Sequence, residues 1–147
     1  MTSAAETRSL VIEREMPHSP EKIWRALTET SLLDDWLLKN DFQPVVGHKF
    51  TFRGQPVGKW NGVIDCEVLV VEPYKKLSYR WEPWGAEAGT PLTTVVTWTL
   101  TPSKAGHTHL RLEQSGFRAD QQRNLQGAKY GFGRFIDALE RVLEKLE

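Results

Sequence analysis

Residues 120–147, DQQRNLQGAKYGFGRFIDALERVLEKLE, decide the fold. Leu125, Ala128, Phe132, Phe135 or Ile136, Leu139, Val142 or Leu143, and Leu146 recur every three or four positions. That spacing gathers them on one stripe of a helix about seven turns long, well above the average of about three turns. Asp120 is the expected N-cap. A stripe of this length has to rest on another apolar surface. The rest of the chain offers one only as the inward face of a sheet.

Working back from the helix, the chain reads with a period of two. Leu110, Leu112 and Gln114 alternate with His109, Arg111 and Glu113. Thr94, Val96, Trp98 and Leu100 alternate with Thr97, Thr99 and Thr101, and Leu77, Tyr79 and Trp81 with Ser78, Arg80 and Glu82. Trp60 to Val71 is a long β-branched run, with Gly62 as the expected site of a bend or bulge. Phe50 and Phe52 share one side of the segment from His48 to Arg53. Strict alternation marks half-buried strands. The turn signals at Pro73-Tyr74-Lys75 and Ala105-Gly106 join them as antiparallel hairpins. A loop from Pro83 to Pro91 carries Trp84, Gly85 and Gly89.

The N-terminal part differs. Leu10, Ile12 and Met16 share one side of a strand ended by Pro17. Ser19-Pro20-Glu21 then reads as a helix start, with a hydroxyl cap, proline at the first helical position and an acid in the first turn. Ile23, Trp24 and Leu27 follow at helical spacing, and Thr30 or Ser31 can cap a second short helix holding Leu32, Leu33 and Trp36. The order of one strand, two short helices, several strands and one long helix predicts an α+β fold, helices on one face of a curved antiparallel sheet. Residues 1–147 show no repeat or linker and are expected to form a single domain.

Composition narrows the function. The 19 basic and 19 acidic residues cancel, so no cationic excess exists to neutralise nucleic-acid phosphates. The longest apolar runs fall far short of the roughly 20 residues of a membrane span. Residues 1–10 lack the apolar stretch of a signal peptide, so a soluble cytoplasmic protein is expected. One cysteine, Cys66, excludes an internal disulfide. Six Trp, six Phe and three Tyr suit either an aromatic-lined pocket or an aromatic core, because tryptophan favours sites with one apolar side and one polar handle.

Several stretches carry a resemblance. Ser19 to Thr28, then Leu33 and Trp36, resemble the opening helices of the SRPBCC (START/Bet v 1-like) superfamily, and more narrowly the bacterial homologues of the activator of heat-shock-protein-90 ATPase. Val46-Gly47-His48-Lys49-Phe50, Gly62, Glu72-Pro73 and Leu77-Ser78-Tyr79-Arg80-Trp81 are similar to that family's central hairpins. Val95 to Leu100 and Ser115-Gly116-Phe117 resemble the strands and turn before its last helix. Gly131-Phe132 stands where the family usually has Gly-Trp. The similarity runs from about residue 8 to residue 146. It implies a helix-grip (Bet v 1-like) fold: a curved sheet of six or seven strands round the C-terminal helix, with an internal cavity open to small apolar ligands. It does not fix a function.

By strand parity Phe50, Phe52, Tyr79, Trp81, Trp98 and Leu112 can face inward, with Gln114 as a polar group on the same side. Trp36, Trp60, Phe117, Tyr130 and Gly131 complete the expected cavity set. A buried amide needs partners, which a ligand or water can supply. Gly127, Gly131 and Gly133 each cost helix stability. Gly131 is expected to make room over a cavity or to mark a close approach, and Gly133 to behave as an ordinary helix residue.

Other candidates carry less. His107 and His109 share the solvent side of a strand without a third Cys or His nearby, so no metal is expected. Cys66 reads as a small buried residue rather than a reactive thiol. The glycine-rich loops lack phosphate-cradle spacing, and no cofactor is expected. No carboxylate pair or nucleophile–base pair calls for catalysis.

Three functions stay open. The first is a binding module for a small apolar or aromatic molecule. The second is a partner of a heat-shock-protein-90 family chaperone, implied by the resemblance. The eukaryotic activators carry a separate N-terminal chaperone-binding domain that has no counterpart among these motifs. The third is an enzyme of polyketide cyclase-like or hydrolase-like type.

Overall fold

The computed structural model describes residues 7–55, 62–83 and 93–146. Seven strands form one antiparallel sheet: β1 (Thr7–Met16), β2 (Lys39–Asn40), β3 (Lys49–Arg53), β4 (Val63–Glu72), β5 (Lys76–Pro83), β6 (Thr94–Pro102) and β7 (Thr108–Arg118). Their order across the sheet is β1-β7-β6-β5-β4-β3-β2. Only β1 departs from simple meander order, pairing with β7 at the far edge. Helices α1 (Pro20–Thr28) and α2 (Thr30–Trp36) follow β1, and α3 (Gln122–Lys145) closes the chain. This is the helix-grip arrangement expected from the sequence.

Each element follows from local chemistry. The Ser19 hydroxyl accepts the Lys22 amide at 3.2 Å, capping α1 with proline at its first position. Neither Thr30 nor Ser31 caps α2. Glu29 serves as both the C-cap of α1 and the N-cap of α2, its own amide bonded to Arg25 O. One residue between two helices leaves no room for a separate side-chain cap. Asp120 is likewise not the cap of the long helix. It lies in a 3-10 turn, Ala119–Gln121, and Gln121 precedes α3. The Gln121 side chain instead accepts the Arg118 amide at 2.8 Å.

Among the described residues two β-bulges bend the sheet, and neither is at Gly62. Across β4 and β5 the register passes from Val68–Tyr79 to Val70–Ser78, leaving Leu69 unpaired and exposed. Across β1 and β7 it passes from Arg8–Phe117 to Ser9–Ser115, leaving out Gly116 at φ +104°. An extra residue on one strand increases local twist, and glycine takes the positive φ that such a bulge requires. Gly62 does have positive φ, but it sits at a bend just before β4 and accepts the Gly54 amide.

The core lies between the inner face of the sheet and the three helices. Ile23, Ala26, Leu27 and Leu33 of the short helices meet Leu125, Phe132, Ile136, Leu139 and Leu143 of α3 and the inward residues of every strand from β3 to β7. None of the described helices is long and apolar enough to cross a membrane.

Candidate functional site

Strand register sets the wall of the concave side. Gln114 of β7 lies beside Val96 of β6, and Val96 beside Tyr79 of β5. Leu112, Trp98 and Leu77 form the next row. Aromatic rings dominate the wall. Phe42 meets Phe50 edge-on at 5.1 Å between centroids, Phe50 meets Phe52 at 5.3 Å, and Phe52 meets Trp81 at 5.4 Å. Trp81 then meets Phe132 of α3 at 5.1 Å, and Trp98 meets Trp36 of α2 at 5.6 Å. Edge-on and offset ring pairs each add about 0.5–1.5 kcal/mol beyond the area they bury. This network therefore couples α2, α3 and the sheet.

Most polar atoms within it are matched. The Trp98 indole N–H donates to the Tyr79 hydroxyl at 2.9 Å, and the Trp36 indole N–H to Ala26 O at 2.8 Å. Burial pushes the Tyr79 phenol well above its ordinary range, so it stays protonated. The Gln114 amide nitrogen donates to the Thr94 hydroxyl at 2.8 Å, and that hydroxyl donates onward to Trp81 O at 3.0 Å. Among the described residues the Gln114 carbonyl oxygen has no partner, although the residue is only 1% exposed. An orphan buried acceptor costs about 1–3 kcal/mol unless a donor reaches it.

Cys66 is buried on β4, and desolvation pushes its thiol up, so the nucleophilic thiolate is scarce. At mildly alkaline pH the folded protein is expected to react with a disulfide reagent roughly a hundredfold or more slower than the protein in urea. Equal rates in the two states would show that the thiol is accessible. His109 Nε2 stands 2.7 Å from Glu13 of β1, and His107 Nδ1 stands 4.0 Å from Glu15, on the outer face of the sheet. Among the described residues no group of three or more His, Cys, Asp or Glu side chains could hold a metal ion.

The twelve residues expected to line a cavity divide. Phe50, Phe52, Tyr79, Trp81, Trp98, Leu112, Gln114 and Phe117 are all buried in the core on the concave side. Trp60 lies outside the described residues, as does the expected loop beyond Pro83. Tyr130 is 69% exposed. It sits two residues before Phe132, a step that turns a helical side chain to the far side. Tyr130 and Gly131 instead line a separate open groove of about 510 Å³ between α2 and α3, with Trp36, Arg134, Phe135 and Ala138. A Cβ placed at Gly127, Gly131 or Gly133 would meet nothing within 4 Å, so close helix–sheet approach does not explain these glycines.

Three contributors to the wall were not singled out from the sequence. Phe42 follows β2 in an irregular stretch and gives no periodic signal, yet its ring packs on Phe50 and Tyr79. Phe132 stands in the sequence as a member of the α3 stripe and of the Gly131-Phe132 pair, neither of which places it on the wall. Thr94, the partner of Gln114, shares the inward parity of β6, which could have found it.

Comparison with known proteins accords with this architecture. Residues 17–144 match the family model described as Activator of Hsp90 ATPase homolog 1-like protein. Protein MLL2253 from Mesorhizobium loti is 51% identical over 95% of this chain and 99% of its own, with a TM-score of 0.86. CalU16 from Micromonospora echinospora is 20% identical, covering 97% of this chain and 80% of its own, at TM-score 0.77. DynU16, from the dynemicin biosynthetic locus, is 24% identical at TM-score 0.75; 93% of this chain aligns with 47% of that one. These last two likenesses speak to the fold alone. No functionally curated protein matches the chain. With its Bet v 1-like sheet and helix and a match spanning most of its length, the chain belongs to the Activator of Hsp90 ATPase homolog 1-like family within the SRPBCC proteins.

Proposed function

We propose that this protein binds one small apolar or aromatic molecule on the concave side of the sheet, and that the molecule donates a hydrogen bond to Gln114. The observation that carries this reading is the buried Gln114 carbonyl, which no group among the described residues supplies with a donor. Aromatic walls with a few placed polar groups are the usual chemistry of a small-molecule site. Phe50, Phe52, Tyr79, Trp81, Trp98, Leu112 and Phe117 are the proposed apolar surface.

The test compares naphthol with methylnaphthalene, which have similar size but differ in the hydroxyl donor. Naphthol is expected to bind saturably at about one site, quench tryptophan emission and outbind methylnaphthalene about tenfold, a difference of about 1.4 kcal/mol. In Gln114→Leu the preference is expected to vanish while stability changes by no more than about 1 kcal/mol. The substitution removes one orphan buried acceptor and one hydrogen bond, to a Thr94 hydroxyl that still donates to Trp81 O, so gain and loss are of similar size. Mass spectrometry of an organic extract of the purified protein provides a second readout. Absence of saturable binding by a protein shown folded by circular dichroism would remove the proposal.

A second reading, association with a heat-shock-protein-90 family chaperone, is favoured by the family match itself. It requires a shift in chromatographic retention on mixing and a raised ATPase rate. No change at tens of micromolar, the weak end of specific association at roughly −6 kcal/mol, counts against it.

A further inference from the structure

A basic stripe runs along the outer side of α3. Arg134, Arg141 and Lys145 stand seven and four residues apart, so they share one side of the helix. All three are exposed, and among the described residues none forms an ion pair. Arg134 lies 5.9 Å over the Tyr130 ring. Of the three acids of α3, Asp137 and Glu140 both engage Arg14 of β1, at 3.0 and 2.5 Å, and Glu144 is the residue before Lys145. Arg141 and Lys145 are like charges four residues apart, an arrangement that works against a helix. That like-charge pair has a local cost that the fold itself does not explain.

The stripe borders an apolar trough. Two hollows adjoin between α2 and α3, one of about 510 Å³ near Trp36 and Phe135 and one of about 410 Å³ near Leu32 and Val142. They share Ala138 and Arg141. Phe135, Ala138, Val142 and Leu146 are half-buried and packed on the core, forming the floor. From Gly131 to Leu146 the trough runs about 22 Å at 1.5 Å per residue. Asp35 of α2 and Asp137 also border it, but Arg14 already engages Asp137. Three unpaired cations therefore face one unengaged acid across an apolar floor.

We propose that this groove is a binding site for a long-chain carboxylate, with the alkyl chain along the floor and the head group at Arg141. Arg141 borders both hollows, and its guanidinium suits a carboxylate through two parallel hydrogen bonds. Arg134 and Lys145 add attraction from either side. The site is separate from the concave side and stands or falls independently of Gln114.

The experiment is calorimetric titration of the full chain with monomeric decanoate at low salt, beside neutral decanol. Decanoate is expected to saturate one site, to bind at least tenfold more tightly than decanol, and to weaken as salt rises. Arg141→Glu is expected to weaken decanoate at least tenfold and Arg141→Lys less. Ala138→Trp fills the trough and is expected to abolish binding of both compounds. Circular dichroism melts confirm that each variant folds. Saturating naphthol is expected to leave the decanoate titration unchanged. Equal binding of decanol, indifference to Arg141→Glu and Ala138→Trp, or competition by naphthol would each overturn the proposal. So would binding to phosphatidylglycerol vesicles in the absence of decanoate binding, which would identify a membrane surface as the partner. Apart from that competition, none of these results would bear on the naphthol preference at Gln114.

Discussion

Trp98→Ala is expected to lower the unfolding free energy by about 3–5 kcal/mol, the range for truncating a large buried aromatic. Trp98 is 0% exposed, and its ring touches Trp36 of α2 and Phe132 of α3, at 5.6 and 6.2 Å. The substitution therefore loosens two helices from the sheet at once. It also removes the donor to the buried Tyr79 hydroxyl, for roughly 1 kcal/mol more. A domain with about 5–15 kcal/mol in total is left marginal. Urea denaturation at matched m-value measures the loss. Trp98→Phe, which keeps most of the ring volume and forfeits the N–H, is expected to cost less than half as much and to remain folded. The alanine variant is also expected to bind added indole and recover melting temperature, as dry engineered cavities take up apolar guests. A cost under about 2 kcal/mol would show that neighbouring groups collapse into the vacated space, or that Trp98 already borders a void, because the penalty scales with the cavity left behind.

Sheet and helix were legible in the sequence because one side of each strand is dry and the other wet. Thr94, Val96, Trp98 and Leu100 are all buried while Val95, Thr97 and Thr99 between them are only half-buried, and that contrast writes the period of two. Long-range pairing writes no such signal. β2 has two residues, too few for any period, and exists because Lys39 and Asn40 pair with Arg53 and Phe52. The bulge at Leu69 is equally silent: an apolar residue in an apolar run looks paired until the register shows that it is skipped. The glycine of that run, Gly62, lies just before β4 and is not the skipped residue.

The candidate site was legible in direction but not in depth. Parity says which side chains point inward, and the eight described strand residues of the expected set do lie in the core. It does not give the spacing between facing side chains, so it cannot separate a lined pocket from a filled one. It also cannot show that Gln114 finds Thr94 for its nitrogen and, among the described residues, nothing for its oxygen, since that depends on how the strands align. The α2–α3 groove was hidden for a related reason. Its floor residues belong to the same apolar stripe that holds α3 on the sheet, and only the short length of α2 leaves their outer flank open.

Glycine substitutions are expected to separate strain from propensity, with the largest loss at Gly116. That residue is the extra one in the β7 bulge at φ +104°, and a Cβ there would stand 3.0 Å from the Thr93 carbonyl oxygen. Alanine would meet both a positive φ and a backbone contact that no side-chain rotation relieves. About 1–2 kcal/mol for the backbone conformation and about 1–3 kcal/mol for overpacking give an expected loss of about 2–5 kcal/mol. Gly106 shares the first penalty without the second, with φ +73° and nothing within 4 Å, so Gly106→Ala is expected to cost about 1–2 kcal/mol. Gly131 shares neither. It is helical with open space beyond it, and Gly131→Ala is expected to gain about 0.4–1 kcal/mol. Chemical denaturation of the three variants reads the order directly. A Gly116→Ala variant as stable as Gly106→Ala would mean that the bulge relaxes by closing the register between β1 and β7. Arg8 would then pair with position 116, which exchange protection of the amides at that edge would reveal. A loss at Gly131 would have a different meaning, because nothing in the folded chain resists a methyl group there. It would place the missing contact in a bound molecule or partner seated in the α2–α3 groove.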